Sequence, residues 1–335
     1  MKVLMVNQAE VARLLPMGEC IAAMEETLKT LARGEALLPL RQVIMLPGNL
    51  GALAAMPAYA ETLKAIGVKV ITVFPGNRGT AYDSHQGAVL LFEAGHGSLK
   101  AIVDASEVTA IRTAAVSGVA TRLLARPDAA DLAILGSGVQ ARTHLEAMLI
   151  VRPLKRIRVW SPTPDHAKAF AERESKRHGV EIEAMGSARG TVKDADIICT
   201  VTSSREPVLK GDWLAAGAHI NAVGASVKAA RELDTAAVKK ACLFVDRRES
   251  ALNEAGDFLT PKAERVIGDD HIRGEIGEVL LDRVPGRTSP EEITLFKSLG
   301  LAVEDLAAVH LIYQKATEFN VGVWVELGGE RDEAH

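Results

Sequence analysis

The chain has 335 residues, enough for about two domains of ordinary size, each with its own core. Its net charge of −4 comes from well-mixed acids and bases, so no basic surface for nucleic acid or membrane is expected. The three cysteines, Cys20, Cys199 and Cys242, lie far apart in apolar contexts, which excludes a disulfide framework and metal-ligand spacing and suits reduced core thiols.

In chain order, the opening MKVLMVNQAE carries one lysine and a short apolar run that Asn7 breaks, too short for a signal-peptide core. The longest uncharged run, 43–60, contains Pro47, Gly48, Asn49, Gly51 and Pro57 and reads as strand and turn rather than a membrane span. A reducing cytoplasm is the expected compartment. Ile21, Met24, Leu28 and Leu31 recur at helical spacing, which predicts a helix over 16–34 with Gly34 as its stop. Strands follow at 41–46 and 53–59, around a Pro-Gly-Asn turn, and at 67–74, where Pro75-Gly76-Asn77 ends the run. A further pair, 88–92 and 99–104, flanks Gly95-His96-Gly97. The first hundred residues are thus expected to be mainly β after one helix.

An Ala-rich helix over 106–126 comes next, and the pattern then alternates. Strand candidates at 131–135, 156–160, 180–184, 196–200, 218–223 and 242–246 are separated mostly by helical stretches. That alternation predicts an α/β fold with a Rossmann-type, doubly wound parallel sheet, beside a separate β-rich α+β domain. The 106–126 helix would join the two, with a cleft at the joint. A last amphipathic helix covers 304–319.

The alternating block opens on Asp-Leu-Ala-Ile-Leu-Gly-Ser-Gly-Val-Gln-Ala, residues 131–141. Leu132 to Leu135 make a short buried strand, Gly136, Gly138 and Ala141 follow as G-x-G-x-x-A, and 142–151 is helical. Gly136 permits a tight turn, Gly138 lets backbone approach a phosphate, and Ala141 lets the helix pack closely. The helix N-terminus then offers N–H donors and positive potential to a pyrophosphate. Glycine pairs also occur by chance in loops; the order strand, turn, helix is what speaks for a dinucleotide. An acid at the end of the next strand would bind the ribose hydroxyls of NAD. Here the stretch reads Arg158-Val159-Trp160-Ser161-Pro162-Thr163, with no acid, and Ser161 and Thr163 can donate to a 2′-phosphate. NADPH is therefore favoured, with NADH possible.

Three cations stand in apolar surroundings. Lys69, in GVKVITVF, shares its strand face with Ile71 and Val73, and both faces look buried, so its ammonium needs an anionic partner. It is either a lysine snorkelling at a strand edge or a cation presented to a substrate carboxylate. Arg112 lies on a helical stripe with Val116, Val119 and Leu123, which fits a structural ion pair or a fork aimed at a carboxylate. Arg41, in LPLRQVIM, is a third, and edge-strand arginines are common. His85, in Ser-His-Gln-Gly, is a turn histidine or a functional one. The histidines show no metal-binding pattern, and no G-x-S-x-G elbow is present; no metal is expected.

These pieces resemble the ornithine cyclodeaminase/mu-crystallin family across nearly the whole chain. The resemblance rests on Met56-Pro57-Ala58, Gly67-Val68-Lys69, Phe74-Pro75-Gly76-Asn77, His85-Gln86-Gly87 and Thr109-Ala110-Ile111-Arg112-Thr113-Ala114-Ala115. Gly136 to Ala141, Ile220 to Ala225, Arg231-Glu232-Leu233-Asp234 and Phe296 to Asp305 follow in order. It implies a homodimer formed by the β-rich domain, 1–118 with 306–335, and an inserted nicotinamide-binding domain, 119–305. It implies that Arg41, Lys69 and Arg112 hold a substrate α-carboxylate. The cofactor contacts assigned with it are Thr113, Gly136, Ser137, Gly138, Val139, Gln140, Trp160, Ser161, Thr163, Thr202, Val223, Gly224 and Ser298.

One position departs from the cyclodeaminase pattern. There an Asp serves as base and holds the distal amine; here Gly224-Ala225-Ser226-Val227 puts Ser226 in its place. A serine hydroxyl neither neutralises an ammonium nor accepts a proton readily at neutral pH. The reading is therefore an NAD(P)-dependent oxidoreductase reducing a small α-imino acid, such as a pyrroline- or piperideine-2-carboxylate. The proton to nitrogen comes from Lys69, or from a water held by His85 or Ser226. The alternatives are an alanine-type amino acid dehydrogenase, an ornithine cyclodeaminase and a nucleotide-dependent binding protein of the mu-crystallin type.

Overall fold

A computed structural model of the chain describes residues 1–77 and 79–328. The end of the expected C-terminal segment, 329–335, lies outside the described residues. The chain divides into two compact units, Met1–Arg112 with the described part of Leu301–His335, and Thr113–Gly300. The unit limits thus fall earlier than the expected changes at 118/119 and 305/306. The reason at the second limit is local: Leu301 is the N-cap of the last helix, and Glu304 and Asp305 point into the first unit's charge cluster.

The first unit begins with β1 (Lys2–Val6), α1 (Gln8–Leu14), α2 (Met17–Ala32), β2 (Ala36–Leu37), β3 (Gln42–Met45), β4 (Ala52–Ala60), β5 (Ala65–Val73), β6 (His85–Glu93) and β7 (Leu99–Asp104). Helix α3 (Ala105–Leu124) supplies residues to both units. Two corrections to the sequence reading belong here. A strand and an extra helix precede the expected opening helix. Asn7, which looked like a mere interruption, caps α1: its side chain accepts from the Glu10 backbone N–H at 3.1 Å, and Glu10 accepts from the Asn7 N–H at 2.9 Å. Arg41, expected within a strand, lies just before β3 in irregular backbone.

The second unit contains β8 (Asp131–Leu135), α4 (Val139–Val151), β9 (Arg156–Trp160), α5 (Pro164–His178), β10 (Glu183–Ala184), α6 (Ala188–Val192), β11 (Ile197–Thr200), β12 (His219–Ala222), α7 (Thr235–Lys240), β13 (Cys242–Val245), α8 (Arg248–Glu254), α9 (Gly256–Ala263), β14 (Ile272–Glu275), α10 (Ile276–Leu280) and β15 (Thr294–Lys297). Then α11 (Ala302–Glu318) and β16 (Val323–Glu326) return to the first unit. The sequence reading had no strands for β14 to β16. The expected strand over 180–184 shrinks to the two residues of β10, an edge strand paired only with β9.

The first unit's sheet runs β16-β1-β7-β6-β5-β4-β2, with β3 on β4, and only the β1–β7 pair is parallel. Helix α11 packs on β4 and β5 and against α2. Gly67 permits that approach, because a Cβ there would stand 2.9 Å from Leu306 Cδ1. The expectation that β5 is buried on both faces needs correcting: Gly67 and Lys69 are buried under α11, while Val68 and Val70 on the opposite face are half-exposed.

The second unit's sheet is parallel throughout, ordered β10-β9-β8-β11-β12-β15-β13-β14. Strands β11, β12 and β15 are buried at every residue, so both faces of the sheet centre are covered. The chain winds outward from β8 through β9 to β10, then resumes on the other side at β11. That reversal is a topological switch point at the C-terminal ends of β8 and β11, the place where doubly wound sheets bind ligands. Among the described residues, no helix is long and apolar enough to cross a membrane.

Candidate active site

In the first unit, four charged side chains meet beneath α11. Lys69 on β5 is 2% exposed, and its Nζ lies 2.6 Å from Asp305 Oδ2 and 3.4 Å from Thr109 Oγ1. Arg112 on α3 donates from Nε to Asp305 Oδ1 at 2.9 Å and from Nη1 to Glu304 Oε2 at 2.7 Å. The anionic partner that Lys69 required is thus Asp305, and the snorkelling alternative falls, since the ammonium itself is buried. The ion-pair reading of Arg112 holds, and both cations converge on one carboxylate.

An ammonium has three donors. Asp305 and Thr109 take two, and the third has no protein partner among the described residues. Burial pulls Lys69 down to about 8 from its ordinary 10.5, with the charges of Arg112 and Arg41 pulling the same way and Asp305 holding it up. Arg41 is therefore close enough for its field to reach Lys69. His85 opens β6, its Nδ1 3.0 Å from Ser84 Oγ, and its carbonyl accepts from Ser106 Oγ at 2.9 Å. Its imidazole is held below the usual range by burial and by the Lys69 charge, against Asp83.

In the second unit the expected cofactor residues fall at the C-terminal ends of five neighbouring strands. Gly136 to Gln140 form the turn from β8 into α4; Trp160, Ser161 and Thr163 follow β9; Thr202 follows β11; Val223 and Gly224 follow β12; Ser298 follows β15. Thr113 lies apart from that row, on α3, and is buried. Gly136 has φ +125°, and a Cβ there would stand 2.6 Å from the Val201 carbonyl oxygen. Gly138 is the N-cap of α4 with open space around the missing Cβ, no side chain caps the helix, and its first turn has no acid.

Those free N–H groups suit a phosphate. Two buried polar atoms among these residues also lack a protein partner: Gln140 Oε1 and Ser298 Oγ. Thr163 caps α5 by position only, its hydroxyl making no cap bond, and Ser161 is buried beside it. These residues fit a dinucleotide. Ser226 is half-buried in the loop after β12.

Sequence reasoning missed the acids. Glu232, fully buried, accepts from Thr200 Oγ1 at 2.8 Å, Thr202 N at 2.6 Å, Thr202 Oγ1 at 2.7 Å and Gly224 N at 2.7 Å. It ties together the loops after β11 and β12. Burial raises its carboxyl, against the Thr202 hydrogen bonds and the Lys297 charge. Lys297 in turn lies 2.9 Å from Asp257, which accepts from the backbone of Glu232 and Leu233. Glu304 and Asp305 were legible in one respect: two consecutive acids in LAVEDLAAVHL, a helix apolar almost all round, are the complement of cations stranded in apolar strands. No metal-binding group of three or more His, Cys, Asp or Glu occurs among the described residues.

Comparison with known proteins places this geometry. The model of the ornithine cyclodeaminase/mu-crystallin family matches residues 1–320. The ketimine reductase mu-crystallin of Mus musculus is 43% identical over 280 residues, 84% of this chain and 85% of its own. The structure of Thermococcus litoralis Delta(1)-pyrroline-2-carboxylate reductase, in complex with NADH and L-proline, matches with a TM-score of 0.94 at 41% identity, covering 96% of this chain and 99% of that one. An archaeal alanine dehydrogenase dimer with bound NAD matches with a TM-score of 0.93 at 32% identity, covering 98% and 100%.

Proposed function

Because the chain belongs to the ornithine cyclodeaminase/mu-crystallin family, we propose that it is an NAD(P)-dependent oxidoreductase that reduces a small α-imino acid to the amino acid. A cyclic ketimine such as pyrroline- or piperideine-2-carboxylate is the substrate class, in keeping with the reductases of that name among its relatives. The observation that carries the reading is the third donor of the buried Lys69 ammonium, which has no partner among the described residues and lies beside Arg112. A buried cation with an unfilled donor is a place for an anion. Lys69 and Arg112 meet on Asp305, and the charge of Arg41 also acts on Lys69, so an anionic substrate group would find cations already gathered here.

Gly136 to Gln140 hold the cofactor's pyrophosphate on the α4 N-terminus, and Thr202, Val223, Gly224 and Ser298 continue the binding edge. When bound, the reduced nicotinamide supplies a hydride. The chain's own contribution is to fix the carboxylate, and with it the C=N carbon, and to deliver a proton to nitrogen. Lys69 is the first candidate donor, since burial brings it to about 8; a water on His85 or Ser226 is the other. Ser161 and the unengaged Thr163 hydroxyl support NADPH binding at least as well as NADH.

A homodimer is proposed, supported by the exposed Val43, Ile44 and Met45 of β3, which a second copy would cover, and by the dimeric alanine dehydrogenase. A reducing cytoplasm suits its three free cysteines.

The test is NADPH oxidation with cyclic imino acids, and with keto acids plus ammonia or amines, alongside proline formation from labelled ornithine. Turnover is expected on cyclic imino acids and little or none on ornithine, because Ser226 cannot deprotonate the distal amine. Ornithine turnover matching the best imine reduction would make the cyclodeaminase alternative right; tight cofactor binding with no turnover on any substrate would make this a binding protein.

A further inference from the structure

We propose that Asp305 is a positioning residue for the reduction: its carboxylate aligns Lys69 with Arg112 and keeps Lys69 charged while substrate binds. The inference rests on the carboxylate-clamp reading above and adds a residue that the reading does not assign.

Asp305 sits on α11, fully buried, and reaches two elements at once. Oδ2 meets Lys69 of β5 at 2.6 Å, and Oδ1 meets Arg112 Nε of α3 at 2.9 Å. Its neighbour Glu304 takes a different edge of the same guanidinium at 2.7 Å and also accepts from the Leu301 backbone N–H at 3.1 Å. The two acids therefore play unequal parts. Glu304 ties Arg112 to the start of α11. Asp305 is the acid that joins both cations, so it sets the ammonium and the guanidinium side by side at a fixed spacing. A planar substrate carboxylate needs that spacing, since it must be met by both donors in one geometry.

The electrostatics point the same way. Two cations buried together repel each other, and each loses hydration. Burial, Arg112 and Arg41 all favour a neutral Lys69; Asp305 opposes them. Other polar and ionisable groups that the described residues bring to the cluster include Thr109 on α3, His85 on β6 with Asp83 beside it, Glu304 on α11 and Cys20 on α2. With Asp305 neutralised, Lys69 would lose its nearest anion and shed its proton at a lower pH. A neutral amine no longer attracts a carboxylate and has no acidic proton for the imine nitrogen.

The experiment is the pH profile of kcat/KM for NADPH-dependent reduction of pyrroline-2-carboxylate, in the unaltered protein, Asp305→Asn, Asp305→Glu, Lys69→Arg and Arg112→Ala. The unaltered protein should lose activity on an alkaline limb near pH 8, where Lys69 titrates. Asp305→Asn should move that limb down by roughly one to three pH units, the range for removing a close opposite charge. Asp305→Glu, which keeps the charge, should leave the limb near its original place while raising KM. Lys69→Arg, always charged, should abolish the limb in whatever activity remains. A limb that stays put in Asp305→Asn overturns the inference. Should that variant fail to fold, judged by circular dichroism, a limb that persists in Lys69→Arg or moves in Asp305→Glu overturns it instead. Arg112→Ala separates the two claims: an unchanged KM there refutes the clamp itself, whereas a raised KM with an unmoved limb in Asp305→Asn refutes only the role of Asp305.

Discussion

The two units build their sites from different materials. In the second, the phosphate-binding turn is backbone: Gly136, Gly138 and the first N–H groups of α4 are consecutive in the chain, and what matters is the absence of side chains. In the first, the site is made of charged side chains carried by β5, α3 and α11, and Arg112 and Asp305 are 193 positions apart. A backbone site tolerates substitution wherever a Cβ finds room, and fails where it does not. A charge cluster tolerates almost none, because removing one member leaves buried charges without partners. Damage to the first should therefore appear in both stability and catalysis, and damage to the second can be confined to cofactor affinity.

The largest effect follows from Arg112→Ala. It removes the guanidinium that Glu304 and Asp305 both bind, and breaking a buried ion pair from one side costs about 3–5 kcal/mol. Chemical denaturation should show that loss, and kcat/KM should fall by the equivalent of about 2–5 kcal/mol, mostly through KM. NADPH affinity, titrated by fluorescence, should change little, because the phosphate-binding turn lies in the other unit. An equal fall in cofactor affinity would break the comparison.

Two glycine substitutions sharpen it from the other side. Gly136→Ala places a Cβ 2.6 Å from the Val201 carbonyl at φ +125°, a strained backbone that costs about 1–3 kcal/mol. Melting temperature and NADPH affinity should fall together. Gly138→Ala meets nothing within 4 Å and has extended φ and ψ that alanine accepts, so stability should stay within about 0.5 kcal/mol. If phosphate lies against that backbone, NADPH Kd should nonetheless rise about tenfold, equal to 1.4 kcal/mol. An unchanged Kd would show that the pyrophosphate does not approach Gly138.

The same contrast explains what was legible before the structure. Strand, glycine turn and helix over 131–151 form a local pattern, and β8 and β9 fall on the residues expected of them. Lys69 and Arg112 could be recognised as misplaced cations, since their neighbours are apolar. Their partners could not, because pairing across 193 positions leaves no spacing to read. Glu232 was hidden for a similar reason: its donors are scattered over the end of β11, the residue Thr202 after it and Gly224 after β12, with no regular spacing to read. Strand β15 was missed because Thr294 to Lys297 is too short a run to display a period, and Lys297 looks foreign to a core until Asp257 is seen beside it.

The smallest effects concern the adenosine end, where side chains act within the backbone-built unit. Ser161 is buried at the end of β9, and Ser161→Asp brings a carboxylate to the place where an acid selects NAD. It should weaken NADPH by at least about tenfold through repulsion of the 2′-phosphate, and NADH far less. The ratio of the two Kd values decides the point, because any packing penalty of the buried aspartate weakens both cofactors alike. Thr163→Ala is gentler. The Thr163 side chain is exposed and makes no cap bond to α5, so its removal should leave the melting temperature where it was. If the hydroxyl donates to the 2′-phosphate, a charge-assisted hydrogen bond is lost, and NADPH affinity should drop about tenfold at most, with NADH unaffected. Equal weakening of both cofactors would mean that Thr163 contacts the shared ribose or phosphate groups, and the preference for NADPH would then rest on Ser161 alone.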